Sequence, residues 1–139
     1  MIDKQRITAK MLLMEENLTK LDHLSLFTTE TFLGDFRNVE SAKHLLQVTI
    51  ECMIDICEHI SAKKRFGIPD SAAECIRLVF VSGHVSSDKV DTYIAMTKFR
   101  NRIVHLYHDV DEQEIFRILQ QHLPDIRQFI QDIVLGFGL

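Results

Sequence analysis

A chain of 139 residues with 46% hydrophobic and 26% charged side chains, five Gly and two Pro has the length of one domain and the make-up of a helical globule, which excludes a disordered chain and a turn-rich β-sandwich. The formal net charge of −4 excludes an electropositive whole, so any contact with RNA or DNA has to come from a local basic surface. The charged start of the chain is followed by no apolar run, and no stretch approaches the roughly 18 apolar residues of a membrane span, so the expectation is a cytoplasmic protein without signal peptide or membrane contact.

Apolar spacing and capping residues divide the chain into helices. The first is expected over 3–23, with Ile7, Met11, Leu12, Met14, Leu18 and Leu21 near helical period. A short helical piece follows over 29–34, then a long one over 38–65, which Gly67 can end in a left-handed conformation and Pro69 keeps from resuming. Ser71 with Glu74 has capping-box spacing and opens a helix over 72–81, and Ser82-Gly83-His84 breaks it. One of Ser86, Ser87 and Asp88 then caps a helix expected to reach Tyr107. Asp111 with Glu114 opens a last one ending near Gly136. There is no segment of β period and no internal repeat, so residues 1–139 read as a single all-α bundle.

The three cysteines, Cys52, Cys57 and Cys75, form no C-x-x-C pair and sit in apolar helical surroundings, where free Cys behaves as a small hydrophobe. In the central helix Leu45, Leu46, Val48, Ile50, Met53, Ile54, Ile56, Cys57 and Ile60 cover nearly every side, which marks a helix buried in the bundle or in a subunit interface. One polar row runs against this, Gln47, Glu51 and Asp55 at i, i+4, i+8. Either it is a ridge facing solvent, or its two carboxylates line a cleft and need a cationic partner.

On the helix that ends near Tyr107, Met96, Phe99, Ile103, Leu106 and Val110 make the core stripe. Asn101, His105 and His108 form a row on the other side, and Arg100, Val104 and Tyr107 a third row between the two. Arg100 flanks the core, where Glu51 or Asp55 are candidate partners. At about 100° per residue, Arg100 and His105 lie about 140° apart, so they converge on one small target only if Arg100 reaches round or a second subunit supplies the other group. An imidazole can serve as general base or acid near neutral pH, and a guanidinium can stabilise charge growing on a phosphate. Together they can run metal-independent RNA cleavage with the 2′-hydroxyl as internal nucleophile. The R-x4-H spacing alone carries little, because Arg117 and His122 repeat it.

The fuller string, Arg100-Asn101-Arg102-Ile103-Val104-His105-Leu106-Tyr107, late in a helical chain of this length, resembles the HEPN superfamily, and within it the HepT toxins of the HepT–MntA toxin–antitoxin pair. The resemblance extends over the long apolar helix with Asp55, the Gly67-Ile68-Pro69 stop and the final amphipathic helix. It implies a HEPN-like four-helix up-down bundle with an additional short helix, dimerising through the motif-bearing face. It also implies a metal-independent endoribonuclease in the dimer cleft, needing no cofactor, with Arg100 and His105 as the catalytic pair. The polar residue after the family's Arg falls on Asn101, and the Tyr of its H-x-Y extension on Tyr107. In the family a cognate MntA-like nucleotidyltransferase antitoxin silences the toxin by attaching AMP to that tyrosine, a charged adduct that would block RNA. The alternative is a non-catalytic helical module that binds a nucleotide or docks a partner.

Two further groups weigh less. Lys63-Lys64-Arg65 reads as a solvated helix end that complements the helix dipole, rather than as a phosphate contact. His105, His108, Asp109 and Asp111 fall on different sides or at a helix start, so they do not read as a metal site, and Asp111 is better explained as an N-cap.

Overall fold

The computed structural model describes residues 1–106 and 109–139, and these contain helices and no strands. The helices are α1 (Lys4–Ser25), α2 (Thr29–Leu33), α3 (Phe36–Lys64), α4 (Ala72–Phe80), α5 (Val90–His105), α6 (Glu112–Gln121) and α7 (Leu123–Phe137). None of them is long and apolar enough to cross a membrane.

Most helix starts follow from short polar side chains that accept from otherwise unpaired N–H groups. Asp3 accepts from the Arg6 N–H, Thr28 from Thr31, Asp35 from Arg37, Ser71 from Glu74 and Asp111 from Gln113. The start of α5 differs from expectation. Ser86 accepts from the Asp88 N–H within the preceding loop, and the helix begins at Val90 with no side-chain cap. The stop of α3 is also different. Arg65, not Gly67, takes the left-handed conformation (φ 57°, ψ 46°) and donates its N–H to the Ser61 carbonyl. Gly67 lies at φ 140°, a second backbone position that an L side chain rarely adopts.

The expected last helix is two. The His122 N–H closes α6 on the Ile118 carbonyl, while the His122 carbonyl accepts from Asp125 and Ile126 to open α7. Pro124 sits in the first turn of α7, where its missing N–H costs nothing, but it cannot sit in the interior of one continuous helix. Near the end of α7, Gly136 allows close approach, since a Cβ there would lie 2.6 Å from the His84 carbonyl oxygen.

The apolar wrapping of α3 has its explanation in the packing. It contacts α1, α2, α4, α5 and α6, and it buries Val39, Leu46, Ile50, Met53, Ile56 and Ile60 among them. Each such side chain contributes roughly 1.5–3 kcal/mol relative to staying in water. All three thiols are free and buried. Burial pushes Cys75 up to about 12 and Cys57 well above the ordinary thiol range, so neither is a nucleophile near neutral pH.

α1 runs antiparallel to α3, and two polar ties fix the register. The Asp3 N–H donates to His59 Nε2 at 2.9 Å, and Lys10 Nζ meets Asp55 Oδ2 at 3.0 Å. His59 accepts with a neutral ring, and burial, with Arg6 and Lys63 nearby, holds its pKa below the usual range. The native state therefore binds fewer protons here than the unfolded chain does. This contribution is complete above the ordinary histidine pKa of about 6.5 and is lost as pH falls through it toward the lowered native value. Thermal melts across that window should show stability falling on acidification, and the fall should flatten in His59→Gln. An unchanged profile in the variant would assign the acid sensitivity to other groups.

Candidate active site on the α5 helix

α5 docks on the bundle through Tyr93, Met96, Phe99 and Ile103, all buried. This docking sets the direction of every other side chain on the helix. The expected core stripe holds through Ile103 and resumes at Val110, but Leu106 is 52% exposed. The helix has ended by then, since His105 is its last residue and Leu106 turns away at φ −129°, ψ 46°. Tyr107 and His108, expected on the same helix, lie outside the described residues.

Arg100 points toward α3. It shares with Val104 a cleft of about 310 Å³ whose other wall is Gln47, Glu51, Ile54, Asp55 and Glu58. The polar row of the central helix is therefore the wall of a cleft, and it faces the motif arginine. Neither carboxylate is the partner of Arg100, however. Asp55 is held by Lys10, and Glu51 accepts from Gln47 Nε2 at 2.9 Å. The Nε of Arg100 is shielded from solvent and has no hydrogen-bond partner among the described residues. A buried donor without an acceptor is costly, so this guanidinium is set up for an anion that would enter the cleft.

Asn101 and His105 are exposed, and neither lines the cleft. One copy of the chain therefore brings Arg100 together with Glu51 and Asp55, but it does not bring His105 to them. Val104 and Leu106, both exposed, add an apolar surface beside the imidazole.

The neighbouring arginine does a different job. Arg102 forms a two-pronged pair with Glu114, at 2.9 and 2.6 Å, and its guanidinium lies 5.4 Å from the Phe99 ring centre. It clamps the end of α5 to the first turn of α6. Glu114 therefore serves this clamp, and the spacing Asp111-x2-Glu114 only looked like a capping box. The second R-x4-H pair resolves as structure: His122 Nδ1 lies 2.8 Å from Asp125 Oδ2, and Asp125 also accepts from Lys89 at 2.8 Å. Lys63, Lys64 and Arg65 are exposed at the end of α3, away from the cleft lining.

Lys10 has no local signal in the sequence. It follows Ile7 and precedes Met11 on the buried stripe of α1, and only the antiparallel register with α3 brings it to Asp55.

The family model described as ribonuclease HepT-like matches residues 14–133. The mRNA nuclease HepT of Shewanella oneidensis is 31% identical over 102 residues, which cover 73% of this chain and 77% of that protein. The tRNA nuclease HepT of Aphanizomenon flos-aquae is 25% identical over 116 residues, 81% of this chain and 79% of the relative. Among solved structures, the tri-AMPylated Shewanella oneidensis HEPN toxin in complex with its MNT antitoxin superposes with a TM-score of 0.84 at 27% identity, covering 91% of this chain and 95% of that one. With a family model spanning most of its length and a relative above 30% identity, the chain belongs to the ribonuclease HepT-like family of HEPN proteins.

Proposed function

We propose that this chain is a metal-independent endoribonuclease toxin, acting as a homodimer and restrained by a cognate nucleotidyltransferase antitoxin. The observation that carries this reading is Arg100, half-buried in a cleft with a shielded Nε that has no hydrogen-bond partner among the described residues, beside two carboxylates that are both engaged elsewhere.

What one copy lacks supports the dimer. Arg100 opens into the α3 cleft while His105 stands exposed at the end of the helix, so a two-fold axis beside Val104 and Leu106 is what would set two imidazoles and two guanidiniums around one groove. In that groove His105 takes the proton from a ribose 2′-hydroxyl, and the oxygen attacks the adjacent phosphorus. The P–O bond to the 5′-oxygen breaks, the leaving oxygen is protonated by the second His105 or by water, and the products are a 2′,3′-cyclic phosphate and a 5′-hydroxyl. Arg100 stabilises the negative charge that builds on the non-bridging oxygens. Asn101, exposed one residue on, supplies a further polar contact to the sugar–phosphate backbone.

Tyr107, two residues beyond the imidazole, is the proposed site of silencing. Its hydroxyl oxygen would attack the α-phosphate of ATP on the partner enzyme, releasing pyrophosphate and leaving AMP on the tyrosine. The AMPylated state of the related Shewanella toxin supports this reading. An added AMP would bring bulk and negative charge to the motif that RNA must reach.

The test is cleavage of RNA by the purified chain in excess EDTA, before and after co-expression with the nucleotidyltransferase. Expected are cyclic-phosphate ends from the free dimer, AMP on the Tyr107 peptide by mass spectrometry, and loss of cleavage once AMP is attached. A pure dimer that leaves RNA intact while still binding the nucleotidyltransferase would overturn the enzyme reading in favour of a docking module.

A further inference from the structure

The cleft poses an electrostatic question. Among the described residues Glu51, Asp55 and Glu58 line it and Arg100 is the one cation in its lining, yet no ion pair joins the guanidinium to any of the three. A guanidinium matches a carboxylate in two-pronged geometry, and a pair beside low-dielectric walls is favoured over two separate ions. Glu58 is exposed to solvent, but Glu51 and Asp55 are part-buried, and something must keep these two carboxylates occupied. Gln47 does this for Glu51 from one turn earlier on the same helix. For Asp55 the restraint comes from another element, Lys10 of α1, at 3.0 Å.

We propose that Lys10 is a positioning residue for the ribonuclease reaction: by holding the Asp55 carboxylate on the α1 side of the cleft, it keeps Arg100 uncommitted and open to a phosphodiester. This rests on the ribonuclease reading above. Burial of Ile7, Met11 and Met14 against the bundle fixes the azimuth of α1, so Lys10 reaches Asp55 without being able to displace Arg100 from its own wall. The Lys10 ammonium is held above its ordinary pKa chiefly by its hydrogen bond to Asp55, with direct charge attraction to the same carboxylate adding to it, so the ammonium stays charged across the neutral range. The pair is half-exposed, with side chains 37% and 42% accessible, so its worth is in direction rather than in stability. Without Lys10, Asp55 becomes a tethered competitor for the guanidinium, present at high effective concentration wherever RNA must bind.

The experiment compares wild type, Lys10→Met, Lys10→Arg and the double variant Lys10→Met/Asp55→Asn. Two readouts are taken on each: kcat/KM for RNA cleavage, and the rate at which phenylglyoxal labels Arg100, read by peptide mass spectrometry. Lys10→Met should lose about two- to fivefold in kcat/KM, the size of one part-exposed ion pair, and should slow labelling of Arg100 by a similar factor. Lys10→Arg should stay near wild type, and the double variant should recover both readouts because the competitor has lost its charge. Equal labelling of Arg100 in all four proteins would overturn the proposal, as would a double variant no better than Lys10→Met. If wild type cuts no RNA while the labelling pattern still follows Lys10 and Asp55, the ribonuclease reading fails and the positioning of Arg100 stands. Melting temperatures of the four should agree closely, which separates positioning from loss of fold.

Discussion

Alanine in place of His105 is expected to lower RNA cleavage by about 10²–10⁴-fold, the range that one positioned acid–base group supplies. The same change should barely move the melting temperature. His105 is exposed at the last position of α5, and its removal takes away no core contact. As a cation at a helix C-terminus it would contribute about 0.3–1 kcal/mol when protonated. Arg100→Ala is expected to cut activity by about 10²–10³-fold, as for loss of one preorganised donor to transition-state charge. It should also relieve an unsatisfied buried Nε, so the free protein should not lose stability in proportion. The control is two residues away. Arg102→Ala breaks the Glu114 clamp and the contact with Phe99, so it should lower stability while reducing cleavage less than either of the other two. Steady-state cleavage and thermal melts on the three variants separate the roles. Equal activity of His105→Ala and wild type would remove the imidazole from the mechanism.

How much of this was legible in the residues depended on the range of the interaction. α3 could be recognised as buried because apolar side chains on all its faces have few other uses, and the structure surrounds it with five neighbours. The starts at Ser71 and Asp111 were legible because a cap is a contact across two or three residues. The break at His122 was missed although its signal was present, since Pro124 forbids a continuous helix over 111–136. The end of α5 was placed two residues late because Leu106 continues the apolar period, and period alone does not tell where a helix stops. Glu114 was read as a local cap when its partner Arg102 lies on the preceding helix. Within the site, the spacing of Glu51 and Asp55 left a solvent-facing ridge and a cleft wall both open, and the packing of α5 on α3 makes them a cleft wall. Their actual partners could not be anticipated, because Lys10 is 45 residues away in the chain and only helix register brings it close. The direction of Arg100 away from His105 followed from helix geometry, and it is this separation that makes the second copy necessary to the proposed chemistry.

The largest expected loss of stability comes from a residue far from the cleft, Phe129. It is fully buried on α7, with its ring centre 5.6 Å from Phe80 of α4 and 5.3 Å from Tyr93 of α5, edge-on to the latter. Phe80 and Tyr93 in turn lie 4.9 Å apart, so three helices meet in one aromatic cluster. Phe129→Ala removes the transfer energy of the ring and leaves a cavity that two rigid rings cannot collapse into, which costs about 3–5 kcal/mol. Against a total stability of about 5–15 kcal/mol, that is a large share, and urea unfolding should show the midpoint fall with little change in slope. Tyr93→Phe is the informative companion. It keeps the ring and removes only the hydroxyl that donates to Asp132 at 3.3 Å, so it should cost no more than about 1 kcal/mol. Tyr93 lies seven residues before Arg100 on the same helix, so loosening the cluster also frees the near end of the rod that aims the guanidinium into its cleft. In Phe129→Ala the remaining folded protein should therefore lose cleavage beyond the fraction unfolded, whereas Tyr93→Phe should lose none. A midpoint shift under about 1 kcal/mol in Phe129→Ala would mean that the cluster repacks and that α5 is aimed by its contacts with α3 alone.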